Sequence, residues 1–317
     1  MQASELFKQS NTVLLDGGMG TMLQASGLKL GAKPEELNIT NPELIESIHA
    51  KYAAAGSRIV NANTFGASAH KLAGSAYSLE EIIAAGIANC KRACAPYGAL
   101  TALDVGPLGE LLEPSGTLAF EDAVSEYARP WLCIVRAGAA AGADLIFFET
   151  FTDLYELKAA LLAAKENSGL PILASMSFEA GGRTFTGCTV ESFGVTARGL
   201  GANAVGINCS LGPKEIFPMA KRLAEAVPGD FPVFVKPNAG LPNPDGSYNL
   251  DANGFAEALP GSASVRGGRL LRHHAGVHQA AEQRFCRLRT RPSGPQNALG
   301  ALHAGGLCQC GRHHGGG

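Results

Sequence analysis

The stretch Ala204-Val205-Gly206-Ile207-Asn208-Cys209 shows the pattern that decides the fold of this 317-residue chain. A short apolar run, long enough for one strand, passes directly into polar residues. Such a run is typical of a strand that is buried on both faces of a parallel sheet. The six other runs of this kind are Thr12–Leu15, Arg58–Ala62, Leu100–Val105, Leu145–Phe148, Ile172–Phe178 and Val233–Val235.

The segments between these runs are predicted to be helical. Thr40 and Glu43 have capping-box spacing at the start of one segment, and Ser78 and Glu81 have it at the start of another. Seven strands that alternate with helices predict an α/β fold, namely a (β/α)8 TIM barrel. The eighth strand is expected near residues 262–268. A doubly wound open sheet is the competing interpretation.

Composition excludes several classes of protein. Hydrophobic residues make up 46% of the chain and charged residues 17%, which is typical of a globular protein. The net charge of −2 favours neither nucleic acid nor an anionic membrane as a partner. No apolar run is long enough to cross a membrane, and Met1–Ser10 lacks the apolar core of a signal peptide. A reducing, cytoplasmic location is therefore expected, with cysteines as free thiols or metal ligands.

The charge is distributed unevenly along the chain. Residues 1–259 contain 18 basic and 27 acidic residues, a net charge of −9. Residues 260–317 contain eight Arg, no Lys and only Glu282 as an acid, a net charge of +7, and they hold six of the eight His. We therefore predict a barrel domain over residues 1–259 and an aberrant, disordered Arg/His/Gly-rich tail over residues 260–317.

Polar residues at the strand ends are the candidate site, because (β/α)8 barrels carry their chemistry at the carboxyl ends of the strands. The candidates are Asp16 with Gly17 and Gly18, Glu149, and Asn208 with Cys209. Other polar residues at strand ends are Asn61, Asp104 and Lys236.

Each candidate also has a purely structural interpretation. Asp16 with its two glycines could form a tight turn, and Glu149 could cap a helix. Cys209 could be a small buried hydrophobic residue. One cysteine alone does not make a zinc site, which needs at least three protein ligands.

Five segments together resemble the homocysteine-binding domain family, the zinc-dependent homocysteine S-methyltransferases. The resemblance is greatest to the N-terminal domain of bacterial cobalamin-dependent methionine synthases, and it extends in order from residue 10 to about residue 259. The segments are Leu14–Met22, Asn61–Ala67, Phe148–Phe151, Gly206–Ser210 and Lys236–Gly240.

The resemblance implies a barrel that holds one zinc ion through three thiolates. Cys209 corresponds to the first thiolate, and an adjacent Cys-Cys pair after strand eight supplies the other two. Zinc would bind the homocysteine sulfur and lower its pKa, and the resulting thiolate would attack a methyl donor to give methionine. Asp16, Gly17, Gly18, Glu149 and Asn208 would surround the amino acid.

The resemblance leaves the methyl donor open. Cobalamin would act only through other modules, and a small donor such as S-methylmethionine or betaine is the alternative.

The chain departs from the family where the Cys-Cys pair is expected. There it reads Gly267-Gly268-Arg269-Leu270-Leu271-Arg272-His273-His274. GC-rich codons for a family-like Gly-Gly-Cys-Cys-Gly-Thr-Thr-Pro-Glu-Tyr-Ile-Lys-Gln-Leu peptide, read from the third base, encode Arg269–Ala281 without mismatch. We therefore hypothesise that the reading frame shifts within Leu259–Arg266. The last strand and two zinc ligands would then be lost, and the alternative to an enzyme is an inactive remnant that at most binds an amino acid.

Overall fold

The seven predicted strands are present. The computed structural model of the chain describes residues 13–29, 31–68, 70–110, 112–113, 116–117, 134–239, 250, 254–255 and 287–288. The strands are β1 (Val13–Leu14), β2 (Ile59–Asn61), β3 (Leu100–Val105), β4 (Leu145–Phe151), β5 (Ile172–Met176), β6 (Ala204–Asn208) and β7 (Val233–Lys236). Each lies within or next to a predicted apolar run.

Strands β2 to β7 form one parallel sheet in the order in which they occur along the chain. A parallel bridge from Leu15 to Ile59 places β1 beside β2. This sequential order lacks the switch point of a doubly wound sheet, so that interpretation is wrong for the described strands. The architecture is a parallel α/β half-barrel.

A two-residue strand from the tail, β8 (Arg287–Leu288), pairs antiparallel with β1. The position predicted for the eighth barrel strand, residues 262–268, lies outside the described residues. So does the rest of the predicted tail.

Helices connect the strands as predicted. The α-helices are Met19–Ala25, Leu37–Thr40, Pro42–Ala54, Leu79–Cys94, Leu154–Asn167, Val190–Gly199 and Pro213–Ala226, residues 134–140 are helical, and 3-10 turns cover Pro34–Glu36 and Ala95–Tyr97. None of the described helices is long and apolar enough to span a lipid bilayer.

One of the two predicted capping boxes is confirmed. The Ser78 hydroxyl accepts from the Glu81 amide, and the Glu81 carboxylate accepts from the Ser78 amide. The Thr40 prediction is wrong because Thr40 is already helical and donates its hydroxyl to the Glu36 carbonyl. Asn41 caps the following helix instead, accepting from the Leu44 amide at 3.4 Å.

The strands pack on two sides. Their outer faces meet the helices in a large apolar core, and their inner faces enclose a smaller cluster in the barrel interior. Phe147 and Phe234 make an edge-to-face contact inside this interior cluster, with ring centroids 5.2 Å apart. Side chains alternate between the two faces along each strand.

The inner face changes from apolar to polar near the carboxyl ends of the strands. Two residues beyond an apolar member of the interior cluster, a charged residue follows on the same face: Asp104 after Ala102, Glu149 after Phe147 and Lys236 after Phe234. The aromatic pair therefore forms the floor of a charged layer at the barrel mouth.

Candidate active site at the carboxyl ends of the strands

Lys236 joins two of the predicted site residues. Its Nζ lies 2.9 Å from Glu149 Oε2 and 3.3 Å from Asp16 Oδ1, and 5.0 Å from the centroid of the Phe147 ring. The exposed fractions of the side chains are 5% for Lys236, 4% for Asp16 and 16% for Glu149. The structure thus brings strands β1, β4 and β7 together through one buried ammonium group.

Asn61 completes the contacts of both carboxylates. Its backbone N–H donates to Asp16 Oδ2 at 2.7 Å, and its side-chain amide donates to Glu149 Oε2 at 3.4 Å. Each carboxylate is therefore held by two donor residues, Lys236 and Asn61.

Burial controls the charge state of this cluster. It raises the pKa of Asp16 to about 6, and the negative charge of Glu149 adds to the rise, while Lys236 and the Asn61 amide oppose it. Burial also raises the pKa of Asp104 well above its usual range, and Glu149 and Asp16 add to this effect. For Lys236, burial alone would lower the pKa, but the surrounding carboxylates outweigh it, so the pKa is raised. The cluster therefore places three carboxyl groups around one ammonium group, and burial raises the pKa of two of the three carboxyl groups, Asp16 and Asp104.

The mouth also contains hydrogen-bond acceptors that the described residues do not use. Asn61 Oδ1, Asp104 Oδ1 and Asn238 Oδ1 are buried and have no hydrogen-bond partner among the described residues. Because a buried acceptor without a donor is unfavourable, a ligand that supplies N–H groups would be stabilised here. An ammonium group supplies such N–H donors.

Cys209 lies at the same mouth, directly after β6. Its amide donates to the Lys236 carbonyl at 3.1 Å, and the Asn238 side-chain amide lies 3.9 Å from its Sγ. Its backbone is left-handed, with φ of 63°, as is that of Ser210, with φ of 58°. This backbone contact places Cys209 beside the residue that carries the ammonium group, with its thiol near the Asn238 amide.

Three further predicted residues also lie at the carboxyl ends of the strands. Asn208, the last residue of β6, is buried and bonded to Thr150 and Ser175. Gly17 and Gly18 follow Asp16 at the start of the first helix, and the Tyr52 hydroxyl donates to the Gly18 carbonyl at 3.3 Å.

Zinc does not fit the described residues. No group of three His, Cys, Asp or Glu side chains in the described part of the chain can hold a metal ion. Cys209 is one thiol where a zinc site needs at least three ligands. Cys90 and Cys94 are buried in the helix–sheet core with sulfurs 3.8 Å apart, so they belong to packing. The segment Gly267–His274 lies outside the described residues.

Sequence reasoning gave Lys236, Asp104 and Asn61 no role in the site. All three stood at predicted strand ends, which was the available signal. A lysine that ends an apolar run is the strongest of these signals, because a buried ammonium needs a carboxylate partner.

Comparison with known proteins identifies similar sequences in one family. The family model for homocysteine S-methyltransferase matches residues 13–314. Methionine synthases of Mycobacterium tuberculosis (strain ATCC 25618 / H37Rv) and Mycobacterium leprae (strain TN) are 31% and 30% identical to the chain over 269 and 270 residues. These matches cover 78% of the chain but only 22% of each methionine synthase.

A solved structure has a similar fold. The metallated form of the Escherichia coli homocysteine methyltransferase MmuM gives a TM-score of 0.67 at 22% identity. The match covers 89% of this chain and 92% of MmuM.

Proposed function

The chain belongs to the homocysteine S-methyltransferase family, and we therefore propose that its barrel mouth binds homocysteine for methyl transfer to the homocysteine sulfur, giving methionine. The observation that carries the proposal is the buried Asp16–Lys236–Glu149 cluster beside Cys209. The excess of carboxyl groups over ammonium groups in the cluster suits the ammonium group of an amino acid.

Each site residue then has a part in binding. Glu149, the more exposed of the two carboxyl groups, accepts from the homocysteine ammonium. Asp16, the more buried of the two, adds a second carboxyl group to the cluster. Lys236 opposes the rise in the pKa of Asp16 and orients both carboxyl groups through its ion pairs. Gly17 and Gly18 have no side chains, so the backbone can approach the homocysteine carboxylate closely.

Methyl transfer forms a bond from the homocysteine sulfur to the methyl carbon. The bond from that carbon to the donor breaks, and its electron pair leaves with the donor. By the family resemblance, a bound zinc ion would lower the pKa of the homocysteine thiol, whose proton would pass to water. The described residues supply one thiol, that of Cys209, so no zinc-dependent step is assigned to them.

A second candidate function follows because the described residues supply only the single thiol of Cys209 as a zinc ligand. The chain as printed would be a remnant that binds the amino acid and transfers no methyl group. Arg269 and Leu270 stand where the resemblance expects the Cys-Cys pair. The proposed frame shift would explain this: the unshifted gene would encode a complete (β/α)8 barrel, and the shifted gene would encode a chain without the last strand.

The methyl donor is proposed from the fact that the related methionine synthases are much longer than this chain. Because the chain spans 22% of each methionine synthase, a methylcobalamin-carrying module elsewhere is the first candidate donor. A small donor such as S-methylmethionine or betaine is the alternative. Methionine formation with each donor in turn separates them.

The proposed function is tested by homocysteine binding to the full chain in titration calorimetry. Glu149→Gln should weaken binding at least tenfold, because it removes the charge that faces the ammonium. Glu225→Gln is the matched control, since Glu225 is an exposed helix residue and should leave affinity unchanged. Absence of homocysteine binding by the unaltered chain refutes the proposal.

The two candidate functions are separated at the level of the gene. Sequencing the codons for Leu259 to Gln283 shows whether a Cys-Cys pair appears when the frame is restored. If it does, the restored protein should bind about one zinc ion per chain and form methionine, and the printed chain should do neither. If the gene encodes Leu259–Gln283 as in this sequence, and the chain binds homocysteine without methyl transfer, the chain is the inactive remnant.

A further inference from the structure

The described chain contains three non-glycine residues with left-handed backbone, and all three lie at the barrel mouth. They are Thr150 with φ of 65°, Cys209 with φ of 63° and Ser210 with φ of 58°. The left-handed region is unfavourable for side-chain-bearing residues, most of all for a β-branched one such as Thr150. Surrounding contacts must hold these turns in place.

The Thr150 turn is a bulge in strand β4. Phe148 pairs with Ala174 of β5, and Phe151 pairs with Met176, so β4 takes three steps where β5 takes two. The extra residue lies between Phe148 and Phe151, where Glu149 and Thr150 stand. Bulges change the direction of neighbouring side chains, and this one sets the direction of Glu149.

Asn208 contacts the bulge through both ends of its side-chain amide. Its Oδ1 accepts from the Thr150 amide at 3.0 Å, and its Nδ2 donates to Thr150 Oγ1 at 2.7 Å. Ser175 Oγ also donates to Oδ1, at 2.9 Å. The carbonyl oxygen thereby uses both of its acceptor positions, and one N–H of the amide is left.

The same asparagine precedes the second left-handed turn. Cys209 and Ser210 follow it directly, and the hydroxyl of Ser210 is hydrogen-bonded to that of Ser177 after β5. One buried side chain therefore connects the turn that carries Glu149 to the turn that carries Cys209.

We propose that Asn208 is a positioning residue, which braces the left-handed turns at Thr150 and Cys209 and so fixes Glu149 relative to the Cys209 thiol. The inference rests on the proposed function for its substrate, and it is an alternative to the expectation that Asn208 binds the amino acid directly. The Thr150 hydroxyl is the second half of the brace. Ser175 fixes the orientation of the amide.

The first test uses a pair of variants at Thr150. Thr150→Ala removes the hydroxyl that accepts from Asn208, and Thr150→Ser keeps it. We expect Thr150→Ala to weaken homocysteine binding by about tenfold, the effect of losing one buried hydrogen bond, and Thr150→Ser to restore affinity to within about twofold. Equal affinities of the two variants overturn the proposal.

A double-variant cycle separates bracing from direct binding. If Asn208 acts through Thr150, the combined Asn208→Ala and Thr150→Ala variant should bind no more weakly than Asn208→Ala alone. If Asn208 contacts the amino acid, the two losses should multiply. Asn203→Ala is the matched control, because Asn203 accepts from the Ile172 amide at the opposite end of the barrel. It should leave homocysteine affinity unchanged.

A readout that needs no substrate keeps the two proposals distinguishable. Amide hydrogen exchange of the peptide around Cys209 should become several-fold faster in Thr150→Ala than in Thr150→Ser, because the brace crosses from β4 to β6. Equal exchange in both variants overturns the brace. If the unaltered chain fails to bind homocysteine while the exchange difference is present, the proposed function fails and the brace stands.

Discussion

Replacing Lys236 by methionine tests whether the charge cluster is a paired unit. Lys236→Met keeps a long apolar stem over the Phe147 ring but removes the ammonium that contacts Asp16 and Glu149. Two buried carboxylates then face each other without a cation, and Asp104 lies beside them. We expect the variant to be less stable and to take up a proton.

The size of the loss follows from the burial of the partners. Because the side chains of Lys236 and Asp16 are 5% and 4% exposed, solvent screens their interaction little. Removing one partner of such a buried pair costs about 3–5 kcal/mol in the free energy of unfolding. At 16% exposure Glu149 retains some solvation, which favours the lower end of that range.

The loss should depend on pH in a defined direction. Burial raises the pKa of Asp16 to about 6 although Lys236 opposes the rise. Without Lys236, the pKa of Asp16 should be higher still. A carboxyl with a raised folded-state pKa destabilises the fold as pH rises through that value. The deficit of Lys236→Met should therefore be largest at pH 8 and smaller at pH 5.

Urea unfolding at pH 8 and pH 5 measures both quantities. Lys221→Met is the matched control, because Lys221 lies 4.0 Å from Glu225 on an exposed helix surface. Such a pair contributes about 0.3–0.5 kcal/mol, with little pH dependence over this range. A loss for Lys236→Met as small as that of the control, or one that grows at pH 5, would refute the reasoning.

Two further predictions concern the helices. His49 is fully buried without a hydrogen-bond partner among the described residues, and burial lowers its pKa to about 3. Stability should therefore fall as pH drops from about 6.5 towards 3, by up to about 1.4 kcal/mol per pH unit, and urea unfolding of His49→Leu should lack this component. Gly194→Ala places a Cβ 2.6 Å from a Leu223 methyl and should lower the melting temperature, whereas Gly20→Ala, with open space, should raise it.

The strands were predictable because their signal is local. A buried parallel strand is apolar along its whole length, so the run Leu145–Phe148 identifies β4 without knowledge of its neighbours. The Ser78 capping box is equally local. Thr40 was misassigned because it ends a four-residue helix, and the next helix begins at Pro42 with Asn41 as its cap.

The details of the site depend on contacts far apart in the sequence. The Thr150 bulge is held by Asn208, 58 residues away, and Lys236 meets Asp16 across 220 residues. Strand-end position identified Glu149, Asn208 and Cys209 as neighbours. It could not show which of them touch, because register and bulges decide that.

The sequential order of β2 to β7 has a consequence for biosynthesis. Each strand pairs with the one made just before it, so the sheet can grow from one side while the chain leaves the ribosome. Lys236 arrives with β7, so the carboxylates of Asp16 and Glu149 stay unpaired until almost the whole sheet is present. A ribosome that lost its frame after Leu259 would already have translated every residue that this charge cluster needs.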